Sequence, residues 1–121
     1  MKSDPFGGVF SEDGRPSKPR IINPIPNASY SHYPPVLDFR WQPCSGIYPI
    51  VYEVEMALGW YEDALEHIEW GKPHPISTRP SKGPHLATTF PGAQPGRFRV
   101  RGLNTTGEGE WSEFRQFEFM I

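Results

Sequence analysis

The chain has 121 residues, of which 12 are Lys or Arg and 14 are Asp or Glu. That length holds one domain with a real core but not two, and balanced charge leaves no global field for nucleic acid or an anionic membrane. No apolar run approaches the roughly 20 residues of a membrane-spanning helix, so neither nucleic-acid binding nor membrane insertion is expected. The start, Met1-Lys2-Ser3-Asp4-Pro5, lacks the apolar stretch of a signal peptide. That predicts action inside the producing cell, or release by lysis or within a particle, with a processed secreted fragment as the alternative. One cysteine, Cys44, leaves no internal disulfide. Fifteen prolines and twelve glycines argue against a helical bundle and for short strands joined by turns. Aromatic residues make up 14% of the chain, enough large side chains for a small sandwich core.

In chain order, Met1 to Arg20 has few apolar residues, several Gly and Pro, and mixed charge. Burial cannot offset the entropy of ordering it, so residues 1–20 are expected to form a flexible arm. If the arm orders on a neighbouring subunit, Phe6, Val9 and Phe10 are its anchors. From Ile21 to Tyr33, Pro24 and Pro26 remove ladder donors, which predicts a broken or irregular edge strand. Leu37, Phe39 and Trp41 then alternate with Asp38, Arg40 and Gln42, the period of a half-buried strand. After a turn over Pro43 to Pro49, Tyr52, Val54 and Met56 alternate with Glu53 and Glu55, predicting a strand over Ile50 to Leu58.

Between Gly59 and Trp70 the pattern is ambiguous. Tyr61, Leu65 and Ile68 fall at helical spacing, yet Glu66 to Trp70 also reads as a short edge strand after a long loop, and the edge strand is preferred. Lys72 to Pro84 reads as a proline-rich loop, and His85 to Phe90 as a short strand ending at Pro91-Gly92. Phe98, Val100 and Gly102 alternate with Arg97, Arg99 and Arg101, one face for a core and one for water. A glycine-punctuated turn and a last strand, Phe114 to Phe119, close the sheet. Seven short strands separated by turn signals predict an all-β antiparallel sandwich over residues 21–121.

Three separated strands resemble the fibronectin type III family. Its second strand carries an alternating hydrophobe and tryptophan and then a proline, here Phe39, Trp41 and Pro43. Its third strand carries a tyrosine with a valine two residues on, here Tyr52 and Val54. Its sixth has an apolar alternation leading to asparagine, glycine and serine, here Phe98, Val100, Gly102, Asn104, Gly107, Gly109 and Ser112. The match covers about Ile21 to Phe119. The family's corner tyrosine would fall at Gly96, so the resemblance implies a missing or replaced corner, with Phe90 where the partner leucine would stand. Trp111-Ser112 followed by Phe114 also resembles the tryptophan-serine motif of cytokine receptors, without its second pair.

Catalysis requires a nucleophile, a base and an orienting group that converge. His32, His67, His74 and His85 are scattered, Cys44 has no cysteine partner for zinc, and no phosphate-binding glycine loop precedes a helix. No enzyme activity, cofactor or metal is therefore expected. Glu62, Asp63, Glu66 and Glu69 read as a solvated acidic face lacking calcium-loop spacing. The Asn27-Ala28-Ser29 and Asn104-Thr105-Thr106 triplets read as turn residues.

Two surface features suggest partner binding. Arg97, Arg99 and Arg101 share one outer face with Glu53 and Glu55 on the neighbouring strand. Opposite-charge pairs across strands contribute about 0.2–1 kcal/mol each, and any arginine left unpaired is available to an acidic partner. Trp60, Tyr61 and Trp70 exceed what a core already holding Trp41 and Tyr52 requires, and exposed aromatics anchor protein interfaces or stack on sugars. The fold-level resemblance implies a structural or assembly module contacting neighbouring protein subunits, as small sandwich proteins do in bacteriophage virions as head decoration or tail components. The alternative is a carbohydrate- or cell-surface-binding module of an extracellular protein. Localisation follows the same fork, virion or extracellular.

Overall fold

A computed structural model describes residues 2–3, 9–10, 14–62, 67–77 and 79–120. In chain order the strands are β1 (Lys2–Ser3), β2 (Val9–Phe10), β3 (Ile21–Asn23), β4 (Ala28–Tyr30), β5 (Val36–Trp41), β6 (Val51–Glu62), β7 (His67–Trp70), β8 (His74–Pro75), β9 (His85–Thr89), β10 (Pro95–Asn104), β11 (Gly107–Glu108) and β12 (Arg115–Phe119). No helix occurs among the described residues. The smaller sheet has the order β3-β5-β9, and the larger runs β4-β12-β10-β6-β7, with β11 added to β10 and β8 to β6. β1 and β2 pair with each other.

Alternation in sequence becomes alternation in space because successive strand residues point to opposite faces. On β5, Leu37, Phe39 and Trp41 are buried; on β6, Tyr52, Val54 and Met56; on β10, Phe98, Val100 and Gly102. β10 and β6 are antiparallel in a register that sets Val100 opposite Val54, Arg99 opposite Glu55 and Arg101 opposite Glu53. The inner faces of the two sheets meet through aromatic rings. Phe39 of the smaller sheet stacks on Phe98 of the larger at 4.0 Å between centroids, and Trp41 meets Tyr52 edge-on at 5.4 Å. Burying one such ring contributes roughly 1.5–3 kcal/mol, and a well-placed ring pair about 0.5–1.5 kcal/mol beyond that. The expected all-β sandwich is the observed fold.

Local chemistry accounts for the irregular parts. The expected broken edge over Ile21 to Tyr33 is two strands. β3 pairs with β5 and β4 with β12, so the chain changes sheets between them, passing a cis Asn23-Pro24 bond. The Arg115 guanidinium ties this crossing down by donating to the Pro24 and Ile21 carbonyl oxygens at 2.6 and 3.3 Å. At the expected corner position, a Cβ on Gly96 would lie 2.7–2.8 Å from the rings of Phe117 and Phe90. Phe90 also stacks on Phe119 at 5.7 Å. Aromatic packing therefore fills the ground in front of Gly96.

Three boundaries differ from the sequence reading. Gly59 to Glu62 is not loop but the end of β6, because Gly59, Trp60, Tyr61 and Glu62 pair with Trp70, Glu69, Ile68 and His67. Ladder pairing outweighs the helical spacing there. The Lys72 to Pro84 loop contains β8 and a bridge between Tyr52 and Ser81. The arm contacts the body from Gly14 onward rather than from Ile21. The Gly14 carbonyl accepts from Ile47 N and Asn104 Nδ2, Ser17 and Ser45 exchange two hydrogen bonds of 2.8 Å, and Pro16 and Pro19 are buried. Prolines lose little entropy on ordering, so side-chain-to-backbone bonds suffice to hold a segment that composition alone marks as loose.

Cys44 lies at the edge of this core, 2% exposed. Its backbone N donates to the Tyr52 hydroxyl at 3.0 Å, and its carbonyl accepts from the Tyr48 hydroxyl at 2.8 Å. Burial pushes the thiol pKa up to about 11 from 9.0, against smaller lowering contributions from hydrogen bonds to Tyr52 and Ser17. The thiolate is the reactive form, so this thiol is inert near neutrality.

Two outcomes are expected. Gly96→Ala forces its methyl group into the Phe90 and Phe117 rings and lowers stability by about 1–3 kcal/mol, measured as a drop in the urea midpoint at unchanged slope. For Cys44, the unfolded chain releases a proton between pH 9 and 11 that the native state retains, so stability falls as pH rises there. Denaturation across that window should show a steeper fall for the wild type than for Cys44→Ala. A thiol reagent at pH 8 should modify the native protein no faster than it unfolds.

Candidate functional site

The solvent side of the larger sheet carries the most organised group of charged and aromatic side chains among the described residues. β10 presents Arg97, Arg99 and Arg101 there, since Phe98 and Val100 face inward. Arg99 donates through Nε and Nη2 to Glu55 Oε1 at 2.9 and 2.7 Å. Arg101 donates through Nε to Glu53 Oε1 at 2.7 Å and through Nη1 to Glu108 Oε2 at 2.9 Å. Apart from Glu108, which is exposed, these guanidinium and glutamate groups are partly shielded, so their pairing holds better than a fully exposed pair would. The expected charge ladder is present, with Arg99 opposite Glu55 and Arg101 opposite Glu53.

Aromatic rings interleave with these cations. Arg97 Cζ lies 4.5 Å from the Trp70 ring centroid and 4.3 Å from that of Phe114. Arg99 lies 4.9 Å from Phe114 and 4.4 Å from Trp111, and Arg101 4.4 Å from Trp111. Ring faces attract a cation by about 0.5–2 kcal/mol depending on desolvation. Ser112 helps place the rings: its hydroxyl accepts from Val100 N at 3.0 Å, and its own N donates to Val100 O at 2.8 Å. This clips the segment carrying Trp111 and Phe114 to β10.

Arg97 differs from its two neighbours. Its register partners are Ala57 on β6 and Gln116 on β12, neither able to supply a counter-charge. Its Nε is shut off from solvent and has no hydrogen-bond partner. Burial and, to a lesser degree, the adjacent Arg99 push its pKa below the usual guanidinium value. Arg99 and Arg101 are thus neutralised within the domain, and the cation left over is Arg97.

The aromatic trio separates. Trp60 and Tyr61 are 55% and 48% exposed, but as consecutive strand residues they point to opposite faces. Trp70 pairs with Gly59, where a Cβ would come within 2.9 Å of the indole. The indole lies over the glycine and against Arg97. Tyr61 is on the same outer face and donates to Glu118 Oε1 at 2.8 Å. Phe6 falls outside the described residues, as does the side chain of Phe10. Sequence reasoning brought the three arginines together but missed Trp111, Phe114 and Glu108 as their partners. The three-residue spacing of Trp111 and Phe114 just before a strand was the available signal.

Glu62, His67 and Glu69 bring one ligand atom each to within 4.8 Å of one another at the β6–β7 tip, all exposed. Glu62 is raised above the usual carboxylate range by a hydrogen bond and repulsion from Glu69, the response of crowded carboxylates on a solvated surface. Asp63 and Glu66 lie outside the described residues. An open groove of about 420 Å³ beside β6 is floored by Val54, Ile76 and Leu86 with Arg79 at its rim. Glu53 and Glu55 border it but are engaged by arginines.

No family model matches this sequence, and no curated protein matches it. Solved structures do. A human fibronectin type III domain, from fibronectin type III domain containing protein 3, is 19% identical with a TM-score of 0.54, covering 94% of this chain and 93% of that one. The fourth such domain of a human protein is 20% identical with a TM-score of 0.55, covering 99% and 94%. A third human example is 14% identical, TM-score 0.51, covering 94% and 86%. Together with the two-sheet architecture, these likenesses establish that the chain has the fibronectin type III fold.

Proposed function

We propose that this chain is a non-catalytic interaction module that docks on a larger protein assembly through the outer face of the larger sheet. The observation that carries this reading is the Arg97-Arg99-Arg101 ladder, rigidified by Trp70, Phe114 and Trp111 and still partly open to solvent. Arginine and aromatic residues are enriched at interface hot spots because they present large, ordered contact surfaces. The buried Cys44 thiol stays protonated near neutrality and so offers no thiolate nucleophile, which is consistent with a binding role. A bacteriophage virion, with the chain as head decoration or tail component, is the setting that the fold-level analogy suggests. In that setting Phe6 and Phe10 would belong to an arm that contacts a neighbouring subunit.

A sugar-stacking platform built of Trp60, Tyr61 and Trp70 requires the three rings on one side. Strand alternation places Trp60 on the other side, and Trp70 is occupied by Arg97, so the carbohydrate reading gains no support from the geometry.

Site-specific photo-crosslinking in the producing cells tests the proposal. A photoreactive residue at Gln116, on the outer face of the larger sheet, should give a discrete protein adduct. The same residue at Arg40, exposed on β5 of the smaller sheet, should give none. Equal labelling from both faces, or none from Gln116, would contradict it.

A further inference from the structure

We propose that Arg97 is the receptor for a single carboxylate, an aspartate or glutamate side chain of the docking partner set among apolar residues. The inference rests on the docking reading above and names the group that the outer face recognises. It follows from charge accounting along β10. Glu55 serves Arg99, and Glu53 and Glu108 serve Arg101, whereas Arg97 has no carboxylate within ion-pair distance among the described residues. Its cross-strand positions hold Ala57 and Gln116. A cation left without a counter-charge beside a like charge is a point where an incoming anion is favoured.

Geometry defines the ligand further. Trp70 and Phe114 hold the guanidinium by its faces, so much of the rotamer entropy that binding an arginine ordinarily costs is already spent. The donors lie in the guanidinium plane, and a carboxylate matches two of them in parallel. Nε is sealed, while the terminal nitrogens are not, which leaves the outer edge as the approach. Of its immediate neighbours, Ala57, Trp70 and Phe114 are apolar, with Gln116 and Arg99 beside them, so a docked partner would exclude water on the apolar side and strengthen the pair.

A polyanion fits poorly. Nucleic acid or a sulfated glycan gains affinity from a run of uncompensated cations, whereas along β10 Arg99 and Arg101 are already matched by Glu55, Glu53 and Glu108. A lone acidic side chain between apolar neighbours matches the pattern.

The test is a nuclear magnetic resonance titration of the full chain with N-acetyl-Leu-Glu-Leu-amide, with its Gln counterpart and a sulfated trisaccharide as controls. The expected result is a saturable shift of the Arg97 Nε–Hε and Trp70 indole signals in the millimolar range. The Glu peptide should bind at least about tenfold more tightly than the Gln peptide. Arg97→Gln should erase that preference, Arg97→Lys should keep part of it because the charge remains without the planar fork, and Arg40→Gln should leave it intact. Backbone amide spectra confirm that each variant is folded. No saturable shift, equal binding of the two peptides, shifts centred on Arg99 and Arg101, or tighter binding of the trisaccharide would overturn the proposal. If it is overturned while Gln116 still cross-links, the docking face stands without its carboxylate; if Gln116 does not cross-link, the docking reading itself has failed.

Discussion

The Phe39–Phe98 stack, 4.0 Å between centroids, makes one body of two sheets, and most else in the domain follows from it. Both residues are fully buried, one at the centre of β5 and the other at the centre of β10. Trp41 and Tyr52 extend the seam toward one end; Phe90, Phe117 and Phe119 extend it toward the other. Once those rings define the inside, the two-residue period of a strand leaves no choice about the outside. Arg97, Arg99 and Arg101 must face water together because Phe98 and Val100 do not. The organisation of the surface is a by-product of the core.

That coupling sets what was legible in the sequence. β5, the first part of β6 and β10 were legible by alternation, β9 and β12 as short runs bounded by turns, and the facing of the arginines by Glu53 and Glu55 followed from the shared outer faces. The end of β6 was hidden because Tyr61, Leu65 and Ile68 mimic a helix stripe, and only the pairing of Gly59 to Glu62 with β7 decides the matter. The sheet change between β3 and β4 was hidden for a related reason. Prolines signal that a ladder is broken, not which sheet receives the chain afterwards.

The candidate site was only half legible. The three arginines are spaced by two in one short segment, so their common face was plain. Their ring partners come from β7 and from the Trp111 to Phe114 segment, and tertiary packing alone brings these beside β10. For the same reason the unpaired member could not be identified from sequence, since Arg97, Arg99 and Arg101 look equivalent until Ala57 is seen opposite Arg97. The tryptophan-serine motif has a physical role independent of any receptor. Ser112 fastens the ring-bearing segment to Val100, and the rings then order the cations. A sandwich of this fold serves many purposes, so function lies in the side chains of a particular face rather than in the fold.

If the aromatic seam joins both sheets into one cooperative interior, native-state hydrogen exchange will show it most directly. The amides of Phe39 on β5, Val54 on β6 and Val100 on β10 should exchange only through global unfolding, with the same opening free energy and the same denaturant dependence. Exchange of β5 through a separate, lower-energy opening, while β6 and β10 stay protected, would show that the sheets do not share a core and would contradict the account.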